Sequence, residues 1–150
     1  MNKLVVAIFS GFSAALAIGL LAYADSLQPQ HLFLMAPFGA SAVLVFGLPD
    51  SPLAQPKNVV LGHLLAAFVG LALAQLLGVH PLSIAIATGV AITGMLLTGT
   101  THPPAGANPI LIMLAGVDWD FLVFPVLLGT VTIVIFGALH KKLRSQLVIE

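Results

Sequence analysis

Four stretches of about 17 to 20 residues, Leu4 to Ala24, Val59 to Leu77, Leu82 to Thr98 and Phe121 to Leu139, contain no Lys, Arg, Asp or Glu. As helices rising 1.5 Å per residue, they match the ~30 Å hydrocarbon core of a bilayer. Charged residues make up 7% of the 150, against roughly 25% in a typical globular protein, too few to coat a water-facing surface. The fold class is therefore all-α integral membrane, a single transmembrane domain over residues 1–150. With no cysteine, disulfides, thiolate metal sites and dithiol redox chemistry are excluded. A net charge of zero gives no footing for nucleic-acid binding.

Lys3 ahead of the first run, with Ala22-Tyr23-Ala24 at its end, also fits a signal peptide, but the run exceeds a usual signal core and reads as a retained helix. Gly62, Ala66, Gly70 and Ala74 form a small-residue stripe suited to close helix contact in lipid. Two further apolar stretches are interrupted: His31 to Leu48 at Pro37 and Gly39, and Gly99 to Gly116 at His102-Pro103-Pro104-Ala105-Gly106. Proline lacks a backbone donor and crowds the preceding turn, so neither stretch is one straight helix. In hydrocarbon such backbone survives where protein buries it or water lines it, which makes the breaks candidates for a path through the membrane.

Pro37-Phe38-Gly39-Ala40-Ser41 and Pro104-Ala105-Gly106-Ala107-Asn108 share the pattern P-x-G-A-[SN] at an offset of 67, and the same offset aligns Gly62 with Gly129 and Gly70 with Gly137. This reads as an internal duplication, repeat 1 over about 1–79 and repeat 2 over about 80–145. Counting the broken elements as spans gives six crossings. Lys3, Lys57, Lys141, Lys142 and Arg144 then share one side, and Asp25, His31, His80, Asp118 and Asp120 the other. The expected architecture is four full helices plus two broken elements, a 3+3 inverted-topology repeat with both termini cytoplasmic. Re-entrant broken elements would instead leave four spans and move Lys57 outward.

An inverted repeat would bring two half-helix N-termini together near the midplane, where free N–H groups and the helix dipole suit an anion. Ser41 and Asn108 read as N-caps there, Pro109 or Pro104 as the first helical residue, and Asn58 as the cap of the following helix. No acidic side chain lies in any apolar stretch to meet a cation. The expected substrate-binding residues are Gly39, Ala40, Ser41, Thr101, His102, Gly106, Ala107 and Asn108, with His102 and His63 as proton-coupling or gating groups. Thr98, Thr100 and Thr101 could line a hydrated passage or bond the previous turn. Two intramembrane histidines without a third ligand make a poor metal site, so no metal, cofactor or catalytic residue is expected. His31, His80 and His140 fall near interfaces and receive no role. Tyr23 and Trp119 read as interfacial anchors.

Thr101-His102-Pro103-Pro104-Ala105-Gly106-Ala107 resembles the signature of the HPP family of integral membrane proteins. Gly39-Ala40-Ser41, continuing through Pro52-Leu53-Ala54-Gln55-Pro56 to Asn58, Gly62 and His63, resembles that family's other characteristic segment. The resemblance covers nearly the whole chain. It implies four described spans and a role in moving nitrite across membranes, and regulation by the soluble extensions that some relatives carry is not expected. The expectation is thus a small-anion transporter or channel, not an enzyme, for nitrite or a similar monovalent anion. It would sit in an inner or plasma membrane as a homodimer or higher homo-oligomer. The alternative is a non-transporting structural or regulatory subunit of a larger complex.

Overall fold

The computed structural model describes residues 2–27 and 33–148, so His31 lies outside the described residues. The described chain is helical, with no strand among the described residues. Helix α1 runs Lys3–Leu27, α2 runs Ala36–Ala42 and continues as a π turn over Val43–Gly47, α3 runs Pro56–Leu77 and α4 runs Pro81–Thr98. A 3-10 turn at Pro103–Ala107 leads into α5 at Asn108–Ala115. A second 3-10 turn and a π turn, Trp119–Leu122 and Val123–Leu127, lead into α6 at Leu128–Val148. Four helical segments are long and apolar enough to cross a membrane: Lys3–Leu27, Pro56–Leu77, Pro81–Thr98 and Trp119–Gln146. Their outward side chains, among them Leu76, Leu97 and Ile135, are exposed, a surface suited to lipid.

The two interrupted stretches become short helices that begin at their prolines. Proline is favoured in a helix's first turn, where its missing N–H would have no partner anyway. Pro37 and Pro103-Pro104 occupy such first turns, as expected for Pro104. Three cap assignments differ from the sequence reading. The N-cap of α2 is Met35, which leaves Ser41 inside the helix with its hydroxyl 3.1 Å from the carbonyl of Pro37. Asn108 follows a helical Ala107 and turns its amide onto His63. Gln55 precedes α3, so Asn58 is free to donate to the Thr101 carbonyl at 3.0 Å. Each of the three side chains finds a buried partner on another element, and tertiary bonding overrides local capping.

The fourth membrane-length segment is not one regular helix either. Pro125 disfavours helical geometry at the residue before it, and Phe124 has φ −119 and ψ 108. At its other end α4 stops at Gly99, whose φ of 62 is left-handed and natural for glycine. The amide of Thr100 bonds the Met95 carbonyl at 2.9 Å, and the chain turns toward His102. His80 also acquires a role that its sequence context did not suggest. Its Nδ1 accepts from the Ser83 amide while the Ser83 hydroxyl accepts from the His80 amide, a capping box at the start of α4.

Contacts between distant segments gather three parts of the chain at one end. Ser13 and Phe9 of α1 meet His140 of α6, through a 2.9 Å hydrogen bond and a stacked ring contact. Asp50, in the loop after the π turn, pairs with Lys141 at 3.0 Å. Asn58 and Leu53 reach the segment after α4 through Thr101 and His102. Trp119, ahead of α6, packs instead on Phe68, further along α3. Helix α1 is thus built into the bundle core, with Ala17 and Leu21 buried.

Close packing explains four of the glycines. A Cβ on Gly62 would stand 2.7 Å from the Thr100 carbonyl oxygen and 3.0 Å from Cβ of His102, and one on Gly70 would stand 2.9 Å from Cα of Pro109. Gly129 and Gly137 of α6 likewise abut Phe38 and Val45. Helix α3 therefore packs its glycines on the segment around α5, and α6 packs its own on α2 and the π turn. Gly62→Ala should destabilise the protein by about 1–3 kcal/mol, the usual cost of overpacking, because its obstacle is backbone. Gly89→Ala, where a Cβ meets open space, should be neutral or slightly stabilising. Thermal unfolding of the purified protein in detergent separates the two.

Candidate functional site

Burying a polar side chain in a bilayer is costly unless it is bonded, so fully buried polar groups mark where this chain commits its chemistry. Ser41, His63, His102 and Asn108 are each 0% exposed and belong to four different segments: α2, α3, the turn before α5, and α5. Ser41 Oγ lies 2.8 Å from Nε2 of His63 and 2.8 Å from Nε2 of His102. Nδ2 of Asn108 lies 3.0 Å from Nδ1 of His63 and donates to the His63 carbonyl at 3.0 Å. Nδ1 of His102 lies 2.8 Å from the carbonyl oxygen of Leu53. Phe38 closes the cluster with its ring edge-on to His63 at 5.6 Å.

With both rings uncharged, one arrangement of hydrogens links the whole cluster. The Leu53 carbonyl can only accept, so His102 carries its hydrogen on Nδ1, and its bare Nε2 accepts the single hydrogen of the Ser41 hydroxyl. A lone pair of that hydroxyl accepts Nε2–H of His63, and the bare Nδ1 of His63 accepts from Asn108. The result is one unbroken chain, Asn108 to His63 to Ser41 to His102 to Leu53, with every donor aimed the same way.

The sequence-predicted residues divide. Ser41, His63, His102 and Asn108 come together. Gly39 turns instead to a groove against α1, shared with Gly11 and Ala14. Ala40 and Ala107 line a separate apolar cavity of about 640 Å³, with Pro37 and Pro104. Gly106 has open space where a Cβ would stand. The Thr101 hydroxyl turns back to the Met95 carbonyl at 3.4 Å, and Thr98 bonds the Gly94 carbonyl at 2.8 Å. The Thr98 hydroxyl also meets that of the buried Thr100 at 2.8 Å, so bonding to the preceding turn and to each other accounts for these threonines.

Expected backbone donors at the half-helix starts are also partly spent. Pro37, Pro103, Pro104 and Pro109 bring no N–H, while the amides of Phe38 and Ala105 bond the carbonyls of Met35 and His102 at 3.0 Å each. Side chains thus supply the chemistry. His63 is the eighth residue of α3, about 10 Å along a helix of about 33 Å, so the cluster lies about a third of the way along α3 from its start.

Sequence reasoning missed two features. The Leu53 carbonyl, which sets the tautomer of His102, has no side-chain signature. His140 is also buried, bonded to Ser13 and flanked by the rings of Phe9 and Phe46. Its position beside Lys141 in sequence made it look interfacial.

A helical bundle with four membrane-length apolar segments and a buried polar cluster between its short helices defines a polytopic membrane protein. The chain belongs to the HPP transmembrane family, whose transmembrane-region model matches residues 1–147. Two transmembrane proteins of Dictyostelium discoideum are similar. One is 39% identical over 134 residues, 84% of this chain and 43% of its own length. The other is 38% identical over 129 residues, 80% of this chain and 45% of its own. This chain thus spans less than half the length of these relatives. No solved structure matches it.

Asn108→Leu, close to Asn in shape but without an amide, leaves Nδ1 and the carbonyl of His63 without their partner. It should cost about 1–3 kcal/mol, the usual penalty for an orphaned buried polar group. Thr93→Ala should stay within about 0.5 kcal/mol, since it removes only an exposed bond to the turn before, from the Thr93 hydroxyl to the Gly89 carbonyl. Denaturant titration of the two variants checks the contrast.

Proposed function

We propose that this protein moves a small monovalent anion, with nitrite the first candidate, across an inner or plasma membrane, and that the Ser41–His63–His102–Asn108 cluster is the closed barrier on its route. The observation that carries the reading is the chemistry of that barrier: fully buried N–H and O–H groups supplied by both broken elements, in an apolar bundle with no carboxylate between residues 26 and 49 or between 58 and 117. Such donors stabilise an anion, whereas a cation would meet only neutral oxygens and imidazole nitrogens, with no carboxylate to balance its charge. Nitrite in particular rests on the resemblance to the family's described activity.

Six crossings and an inverted repeat complete the reading. Segments around Ser13, Asp50 and Asn58 share an end with Lys141 and Thr101, which supports a chain that traverses the bundle six times. The exchange of glycine contacts supports the duplication: Gly70 meets Ile112 and Gly137 meets Val45, and both the glycines and their partners stand 67 residues apart. On this topology both termini and all five basic residues are cytoplasmic. Homo-oligomerisation would give so small a chain more surface for enclosing a path.

A non-transporting subunit of a larger complex is the second reading, favoured by the completeness of hydrogen bonding within the cluster. Anion uptake by proteoliposomes separates the two, comparing nitrite, nitrate, formate and chloride after subtraction of nitrous acid leak in empty vesicles. Transport predicts saturable nitrite uptake, reduced at least about tenfold in His102→Ala, which removes a donor from the barrier. Uptake no faster than in empty vesicles, by protein shown to be folded, would favour the subunit reading.

A further inference from the structure

We infer that Ser41 is the proton-transfer element of the cluster, handing a proton between His63 and His102, so that any ion carried past the barrier is coupled to protons through this one hydroxyl. The inference rests on the transport reading for its physiological meaning, though not for its geometry.

Three observations converge. Both imidazoles direct Nε2 at the same oxygen, each at 2.8 Å, which is hydrogen-bonding distance on both sides of one hydroxyl. The two rings stand with centroids 5.0 Å apart and planes inclined by 61°, so they reach each other through Ser41 and not by a direct bond. The hydroxyl has a second resting place for its hydrogen, the Pro37 carbonyl at 3.1 Å, and can leave the line without becoming unsatisfied.

Asn108 is arranged for both tautomers of His63. Its Nδ2 lies 3.0 Å and its Oδ1 3.2 Å from the same Nδ1, so the amide donates when that nitrogen is bare and accepts when it is protonated. The bond from Nδ2 to the His63 carbonyl holds the amide in place meanwhile. At the other end the Leu53 carbonyl, 2.8 Å from Nδ1 of His102, requires a hydrogen between them at rest. With the one hydrogen of Ser41 given to His102, the hydroxyl can only accept from His63, and the two rings rest as opposite tautomers, His63 with hydrogen on Nε2 and His102 with hydrogen on Nδ1.

The step balances with hydronium or the protonated anion as proton donor on the His63 side and water as proton acceptor on the Leu53 side. A proton arriving on Nδ1 of His63 releases Nε2–H to Ser41 Oγ, Ser41 passes its own hydrogen to Nε2 of His102, and His102 gives up Nδ1–H on the Leu53 side. One proton enters, one leaves, and the serine ends as the neutral hydroxyl it began as. Afterwards the bare Nδ1 of His102 faces the Leu53 carbonyl with no hydrogen between them, so the transferred arrangement is the transient one. The titratable side chains meeting in the cluster are His63 and His102 themselves. Lys57 lies in the first turn of the helix that carries His63, six residues before it.

The test uses the intact chain in two ways. Imidazole 15N spectra of histidine-labelled wild-type protein should contain one cluster ring bare at Nδ1 and the other bare at Nε2; the same tautomer in both rings overturns the inference. In proteoliposomes with an internal pH dye, Ser41→Ala should lower nitrite-linked proton movement at least about tenfold, and Ser41→Thr, which keeps the hydroxyl, should restore a substantial part. Undiminished proton movement in folded Ser41→Ala overturns it. If the wild type carries no nitrite at all, the transport reading fails, while opposite tautomers would still support the relay.

Discussion

A hydroxyl with a single hydrogen between two imidazoles, in a medium that supplies no water, constrains the rest of this molecule. Each polar group in that line must be bonded within the protein, because hydrocarbon offers no substitute. Four segments distant in sequence must therefore arrive within hydrogen-bonding distance of one another. The glycines of α3 make that possible: Gly62 lies against the Thr100 carbonyl and Cβ of His102, and immediately precedes His63 on the same helix. A methyl group at residue 62 would push His102 away from Ser41.

The prolines serve the same arrangement by a different route. Pro37 and Pro103-Pro104 start helices and do not kink them, so each short helix follows non-helical backbone that can turn into the bundle. Gly99 ends α4 in a left-handed turn that reverses the chain onto Asn58 and Leu53. His102 is consequently held at both ring nitrogens, by a side chain on one and a backbone carbonyl on the other. Such two-point fixation determines both the orientation of a ring and its tautomer.

Much of this was legible in the sequence because the signals are physical necessities. Uncharged runs of membrane length can hardly be anything but membrane helices, and all four appear close to their expected bounds, although Pro125 interrupts the last. The breaks at Pro37 and at His102 to Gly106 located the unusual backbone, and Ser41, His63, His102 and Asn108 were among the residues picked out for chemistry. What failed was local inference applied to tertiary facts. Ser41, Asn58 and Asn108 have the composition of helix caps, yet each spends its polar atoms on a neighbouring element. Gly39, Ala40 and Ala107 lie beside the cluster in sequence but face other surfaces, since adjacent residues on a helix point about 100° apart. Leu53 and His140 gave no signal, because a carbonyl acceptor carries no side-chain identity and burial at a helix end depends on what packs there.

The central claim is that the buried chain from Asn108 to His102 is where the anion engages the protein. Titrating nitrite into histidine- and asparagine-labelled protein, and following the imidazole and side-chain amide nitrogens by NMR, tests it most directly. The account predicts saturable shifts in Asn108, His63 and His102, while His140, bonded to Ser13 at another site, stays fixed. Saturable shifts confined to His140, or none in the cluster during measurable uptake, would contradict it.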